Sequence, residues 1–234
     1  MYKFTGVVLF CGICIIITIA YLHLIGTAIE EKPVSNKNDC TVLERIPTED
    51  GIIEIVNDEC KEGLPHTTDS NTIRMTRKKY ESRGLKQLLI HERVHLDQKR
   101  SPEKWQWFYK QYWDYDIQSE SPIPAIYTQH MRPNPDTESQ PWAIWRQRYV
   151  FFPYAEQPSQ LKNAAVRIWD ILENRFVPAP EQWKARFCDA DGCPYQYEHP
   201  HEISAEFIAN TQKSVAANQL RHWFLKKDSM ESNL

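Results

Sequence analysis

The sequence predicts an α+β fold: a histidine-bearing helix packed on a small sheet, a glutamate-bearing helix beside it, and a long apolar helix ahead of the domain. Three observations predict it. Leu88–Leu96 carries His91, Glu92 and His95 in the order H-E-x-x-H within an uninterrupted helical pattern. Two strand-like segments precede it, Gly51–Val56 and Thr72–Arg77. An apolar run, Gly6–Gly26, opens the chain.

That first run is broken only by Thr18, Tyr21 and His23, and its length of about 21 residues is what a helix needs to cross a bilayer. Residues 1–28 are therefore expected to be an uncleaved membrane anchor. A cleaved signal sequence ending near Gly26-Thr27-Ala28, giving a secreted protein, is the alternative. Residues 29–50 are polar with little periodicity and read as a spacer, so the folded domain is expected over 51–226, with a loose tail from Lys226 to Leu234. The 234 residues carry 28 basic and 31 acidic side chains, a net charge of -3, which gives no basis for nucleic-acid binding. Outside the apolar run lie four cysteines, Cys40, Cys60, Cys188 and Cys193. An even number suits two disulfides in an oxidising, extracytoplasmic compartment, Cys40–Cys60 and Cys188–Cys193 being the simplest pairing.

Within the domain, alternation puts Ile73 and Met75 on one face of the second strand. The histidine-bearing helix is expected from Glu81 to Arg100, with Leu85, Leu88, Leu89 and Val94 on its buried face. Ser101-Pro102 stops it and starts another helix. There Trp105, Phe108, Tyr109 and Tyr112 fall at i, i+3, i+4 and i+7, a stripe that reads as core. Pro122–Gln140 holds four prolines and reads as a loop, its Asn134-Pro135-Asp136 piece suited to border a cleft. Trp142–Tyr154 leans to strand. Ala164–Leu172 is strand or helix by periodicity alone.

Residues four apart on a helix share a face, so His91 and His95 can present two imidazoles to one ion. Glu92, about 100° round the helix from them, reaches a water beside the ion and not the ion itself, which makes it a general base. Charged Arg93 within the motif is unusual for a peptidase. A third ligand is needed. Gln98 and Ser101 stand where a metzincin would have Gly and His, which excludes that class. His199-Pro-His-Glu-Ile-Ser-Ala-Glu206 offers a better source: Pro200 marks a helix start, and Glu202 and Glu206 share a face opposite Ile203 and Phe207. His199 and His201 are the alternative ligands.

H-E-x-x-H followed by E-x-x-x-E on a later helix resembles the gluzincin pattern of zinc metallopeptidases. The resemblance implies a zincin-like domain, Zn²⁺ as cofactor, Glu202 as ligand and Glu206 as the acid orienting a ligand histidine. The stretch also resembles uncharacterised proteins with H-P-x-E-x-x-A-E after the zinc helix and an Asn-Pro-Asp segment between. Tyr195, seven residues before Glu202, resembles in its placement the catalytic Tyr of lethal-factor-like peptidases, and with Tyr197 and His199 is a candidate to stabilise the oxyanion. The expected function is a membrane-anchored zinc metallopeptidase acting on peptides or proteins. The alternatives are a non-catalytic ectodomain binding a partner through the Asn134–Asp136 loop, and a structural zinc domain with a fourth protein ligand.

Overall fold

A computed structural model describes residues 40–132, 134–155 and 164–231, with side chains to 224. The expected N-terminal membrane helix and most of the expected spacer lie outside these residues. Among the described residues no helix is long and apolar enough to cross a membrane.

The chain folds as α+β around two sheets. The first contains β1 (Val42–Thr48), β2 (Gly51–Val56), β3 (His66–Thr67) and β4 (Thr72–Thr76), in the order β1-β2-β4-β3. β2 and β4 are parallel and the other pairs antiparallel. Both strands expected from the sequence are present. β1 corrects the spacer reading, because Val42–Thr48 is an edge strand of this sheet. It looks like linker because most of its side chains stay in water. Its polar residues nevertheless have partners across the sheet. Arg45, Glu54 and Arg74 lie opposite one another on β1, β2 and β4, with Glu54 accepting from Arg45 at 2.9 Å and from Arg74 at 2.7 Å. The β1–β2 turn needs glycine at position 51. Its φ is +146°, and a Cβ there would come within 2.1 Å of the Asn71 carbonyl oxygen.

After a single turn, α1 (Arg77–Tyr80), the helix carrying H-E-x-x-H is α2 (Leu85–Arg100). It lies on the first sheet through Leu96, which joins Ile53, Ile55, Ile73 and Met75 in one apolar cluster, with Leu85, Leu88 and Leu89 packed at its edge. Val94 points the other way, into the main core.

α3 (Pro102–Phe108) runs into a wide turn, Tyr109–Trp113, and then into the second, antiparallel sheet. That sheet has β5 (Tyr115–Gln118), β6 (Trp142–Trp145), β7 (Tyr149–Tyr154), β8 (Ala165–Asp170) and β9 (Arg175–Val177) in sequential order. Its alternation fills two cores. Ala143, Trp145, Phe151 and Ile168 face the main core, and Trp142, Ile144, Val150, Phe152 and Trp169 face a second one, against which Tyr127 and Met131 of the proline-rich loop pack. A single turn in that loop, α4 (Ala125–Thr128), carries Tyr127. Of the expected stripe, Trp105, Phe108 and Tyr109 are fully buried and Tyr112 is 39% exposed.

The chain closes with α5 (Glu181–Phe187), α6 (Pro200–Ala209) and α7 (Val215–Glu231). α7 corrects the tail reading, since the helix continues to Glu231. Both disulfides have the expected pairing, Cys40–Cys60 and Cys188–Cys193.

Candidate metal centre

α2 and α6 pack closely because α6 offers small side chains, Ser204 and Ala205, both fully buried. Pro200 sits in the first turn of α6, where its missing N–H costs nothing, and His199 caps the helix by accepting from His201 N at 3.2 Å. Glu202 therefore enters from the first turn of α6 and meets the two histidines of α2.

The Nε2 atoms of His91 and His95 are 3.0 Å apart. Glu202 Oε2 lies 3.3 Å from His91 Nε2, and Oε1 lies 3.5 Å from His95 Nε2. A tetrahedral ion with bonds near 2 Å places neighbouring ligand atoms about 3.3 Å apart. The three side chains thus have the spacing of three corners around one ion, and form a group able to hold a metal. Glu202 is 1% exposed, and its Oε1 has no hydrogen-bond partner, which a buried carboxylate tolerates only at a cost unless a cation supplies the contact. A second such group, Cys40, Cys60 and His66, is closed to a metal because its sulfurs are bonded to each other.

The orientation of His95 is fixed from behind. Gln98, one turn further along α2, accepts from His95 Nδ1 at 2.7 Å through Oε1. The carboxamide nitrogen of Gln98 donates to Tyr109 Oη at 3.0 Å, to Ser204 Oγ at 2.9 Å and to the His201 carbonyl at 3.2 Å. These acceptors determine which way the amide points, so His95 Nδ1 carries a proton in either charge state of the ring and Nε2 faces Glu202 and His91. Sequence reasoning passed over Gln98 as a position that merely excluded another family. The signal was its i+3 spacing from His95, which puts the two on neighbouring turns of one face.

Three carboxylates, Glu202, Asp136 and Glu92, set the electrostatics around His95. Burial disfavours charge on His95, but Glu202, Asp136 and Glu92 outweigh it and raise its pKa to about 10. Burial also opposes ionisation of Glu202, yet His95 and His91 hold its pKa well below the usual carboxylate range. Without a metal, His95 thus carries the positive charge that balances Glu202. Glu92 is pushed well above the carboxylate range by burial and by Asp136 and Glu202, against His95 and Lys99. It is 2% exposed, its Oε2 has no hydrogen-bond partner, and it lies outside the ligand triad while lining the adjacent cleft. That placement suits a base and not a ligand.

The cleft has a volume of about 730 Å³. His91, Glu92 and Glu202 line its floor, and Asn134, Asp136, Tyr195 and Glu198 contribute to its walls. The Asn134–Asp136 loop borders it as its composition suggests. Asp136 is tied to β3, where its Oδ1 accepts from Thr67 N at 2.8 Å and from the Thr67 hydroxyl. Tyr195 is on the cleft with its side chain 85% exposed.

Glu206 bonds to main chain, and no described hydrogen bond joins it to either histidine of the triad. It accepts from Tyr195 N at 2.9 Å and from Gln196 N at 3.0 Å, so it fixes the cleft wall, while Gln98 is the residue that orients His95. His199 is spent as a cap, and its Nε2 donates to the Gln140 carbonyl at 3.1 Å. Burial lowers its pKa to about 4. Burial, with His199 and His95 nearby, also depresses His201, and neither residue belongs to the triad. Arg93 points away from the site and pairs with Asp50 of the β1–β2 turn at 2.7 Å. Glu198 escaped sequence reasoning because it precedes α6, where helical spacing says nothing about direction. The chain matches no known family model, no curated protein and no solved structure.

Proposed function

We propose that the chain is a zinc-dependent metallopeptidase with a zincin-like domain, anchored in a membrane by residues 1–28 and acting outside the cytoplasm. The observation that carries this reading is the convergence of His91, His95 and Glu202 at 3.0 to 3.5 Å, with unpartnered Glu92 beside them on an open cleft. Two nitrogens and one carboxylate oxygen are a donor set that suits zinc with an open position. The two disulfides support an oxidising compartment.

A zinc ion held there would supply Lewis acidity, lowering the pKa of a water and polarising a carbonyl. The chain's own residues do the rest. Glu92, kept basic but easily protonated by its burial, takes a proton from the attacking water and passes it to the leaving amine. Gln98 keeps Nε2 of His95 in register. Tyr195, with its main chain held by Glu206, is the candidate donor to the oxyanion.

Metal analysis together with cleavage of a quenched fluorescent peptide library tests the reading. The zinc-loaded protein should hold about one zinc per chain. Glu92→Gln should keep the zinc and lose roughly 10²- to 10⁴-fold in hydrolysis. His91→Ala and Glu202→Ala should lose the metal. Loss of zinc in Glu92→Gln, or full activity without Glu92, would sink the assignment. Zinc binding without cleavage of any peptide would favour a binding module.

A further inference from the structure

Four carboxylates, Glu92, Asp136, Glu198 and Glu202, line the cleft, and no lysine or arginine does so among the described lining residues. Their compensation is incomplete. Glu202 faces the metal triad. Lys99 Nζ lies 3.5 Å from Asp136 Oδ1, and both bonds from Thr67 also fall on Oδ1, so every described contact of this carboxylate uses the same oxygen. Glu198 is buried and takes a hydrogen bond from Asn134, but it makes no ion pair with any described basic side chain. Burial and the charge of Glu202 raise its pKa to about 8, as expected of a carboxylate lacking a cation. Glu92 Oε2, buried and without a hydrogen-bond partner, belongs to the same cleft.

A dication in the triad would face Glu202 with Glu92 beside it, and Lys99 faces Asp136, but no described cation faces Glu198. Glu198 is therefore a buried carboxyl of the cleft wall with a hydrogen bond and no counter-charge, and a cationic group brought beside it would favour its ionised form. We propose that the cleft binds a substrate bearing an ammonium or guanidinium group, received by Glu198 and Asp136 beside the metal centre. This deepens the peptidase reading and rests on it for the placement of the scissile bond. Apolar Leu88, Val166 and Tyr197 line the same cleft and suit the aliphatic stem of such a group. A neutral isostere of equal shape would leave the carboxylates unpaired, which is how a site rejects a near-identical ligand. The cation has two possible sources, a free amino terminus or a Lys or Arg side chain.

The test reads binding, and turnover separately. Fluorescent pentapeptides with Lys, Arg, norleucine or citrulline at the centre, each with a free or acetylated amino terminus, are titrated into the full-length, zinc-loaded protein by anisotropy. Mass spectrometry follows cleavage in the same samples. The cationic member of a matched pair should bind about tenfold more tightly, the size of one charged hydrogen bond. Glu198→Gln should reduce that preference to within about twofold at unchanged zinc content, and Asp136→Asn is a second variant should the first fail to fold. A preference removed by acetylation assigns the terminal amine, and one removed by norleucine or citrulline assigns the side chain. Equal binding of charged and neutral peptides, or a preference that survives both substitutions, overturns the proposal. A cation preference without cleavage would leave it standing and sink the peptidase reading alone.

Discussion

Replacing Gln98 by Leu isolates the support behind one ligand. The two side chains have similar volume, and position 98 is buried, so the change removes polarity with little change in packing. The Tyr109 hydroxyl and Ser204 remain bonded to each other at 2.8 Å, and Ser204 can still donate to the His201 carbonyl at 2.9 Å. The one group orphaned is His95 Nδ1, which loses its acceptor at 2.7 Å. An unpaired buried donor costs about 1–3 kcal/mol, and the freed ring can also swing or change tautomer. Metal affinity should then fall by roughly 10- to 100-fold, as when other outer partners of ligand histidines are removed. Competition against a chromophoric chelator measures the zinc Kd of wild type and variant, and circular dichroism follows folding. Gln98→Glu is the comparison. It restores an acceptor for Nδ1 but cannot donate to Tyr109 or Ser204, so it should recover affinity while melting below wild type. A Gln98→Leu protein that folds and binds zinc within twofold of wild type would refute the reasoning, because the network would then serve packing only.

Three further outcomes are expected. The metal-free protein should lose stability as pH rises from about 6 to 10. The folded-state pKa values of His95 (about 10), Glu198 (about 8) and Glu92 (raised) all exceed their unfolded values, so the folded state binds extra protons, and their contribution is present at low pH and lost on deprotonation. Each such proton is worth up to about 1.4 kcal/mol per pH unit, and thermal melts across that range should show a steeper slope without zinc than with it, since the ion would replace the extra proton of His95 while Glu198 stays buried. Glu206→Ala should free the Tyr195–Gln196 main chain. Faster amide exchange at those two residues with unchanged zinc content checks this, whereas loss of zinc would mean that Glu206 supports the ligands after all. Arg93→Ala should leave zinc binding unchanged and cost under about 1 kcal/mol in chemical denaturation, since its pair with Asp50 is partly exposed.

The sequence by itself determined what local geometry controls. His91 and His95 share a face because they lie four apart on one helix, and Glu92 is turned from them for the same reason. The break at Ser101-Pro102, the start of α6 at Pro200 and the two strands β2 and β4 follow equally from neighbours in the chain, whereas Cys40–Cys60, 20 residues apart, was only part of the simplest of the possible pairings. The edge strand β1 was hidden, because its stabilising partners are charges on other strands and not an apolar period of its own. Only the tertiary structure decided which residues complete the site. Glu202 meets the histidines across more than a hundred residues of chain, Gln98 reaches Ser204 over a separation of 106, and Asp136 reaches Thr67 over 69. Two glutamates four apart on α6 looked equivalent in sequence. The tight packing of α6 on α2 directs Glu202 into the triad and leaves Glu206, one turn on, to the backbone of the cleft wall. Side-chain roles of this kind depend on which surfaces pack together, and spacing along one chain carries no record of that.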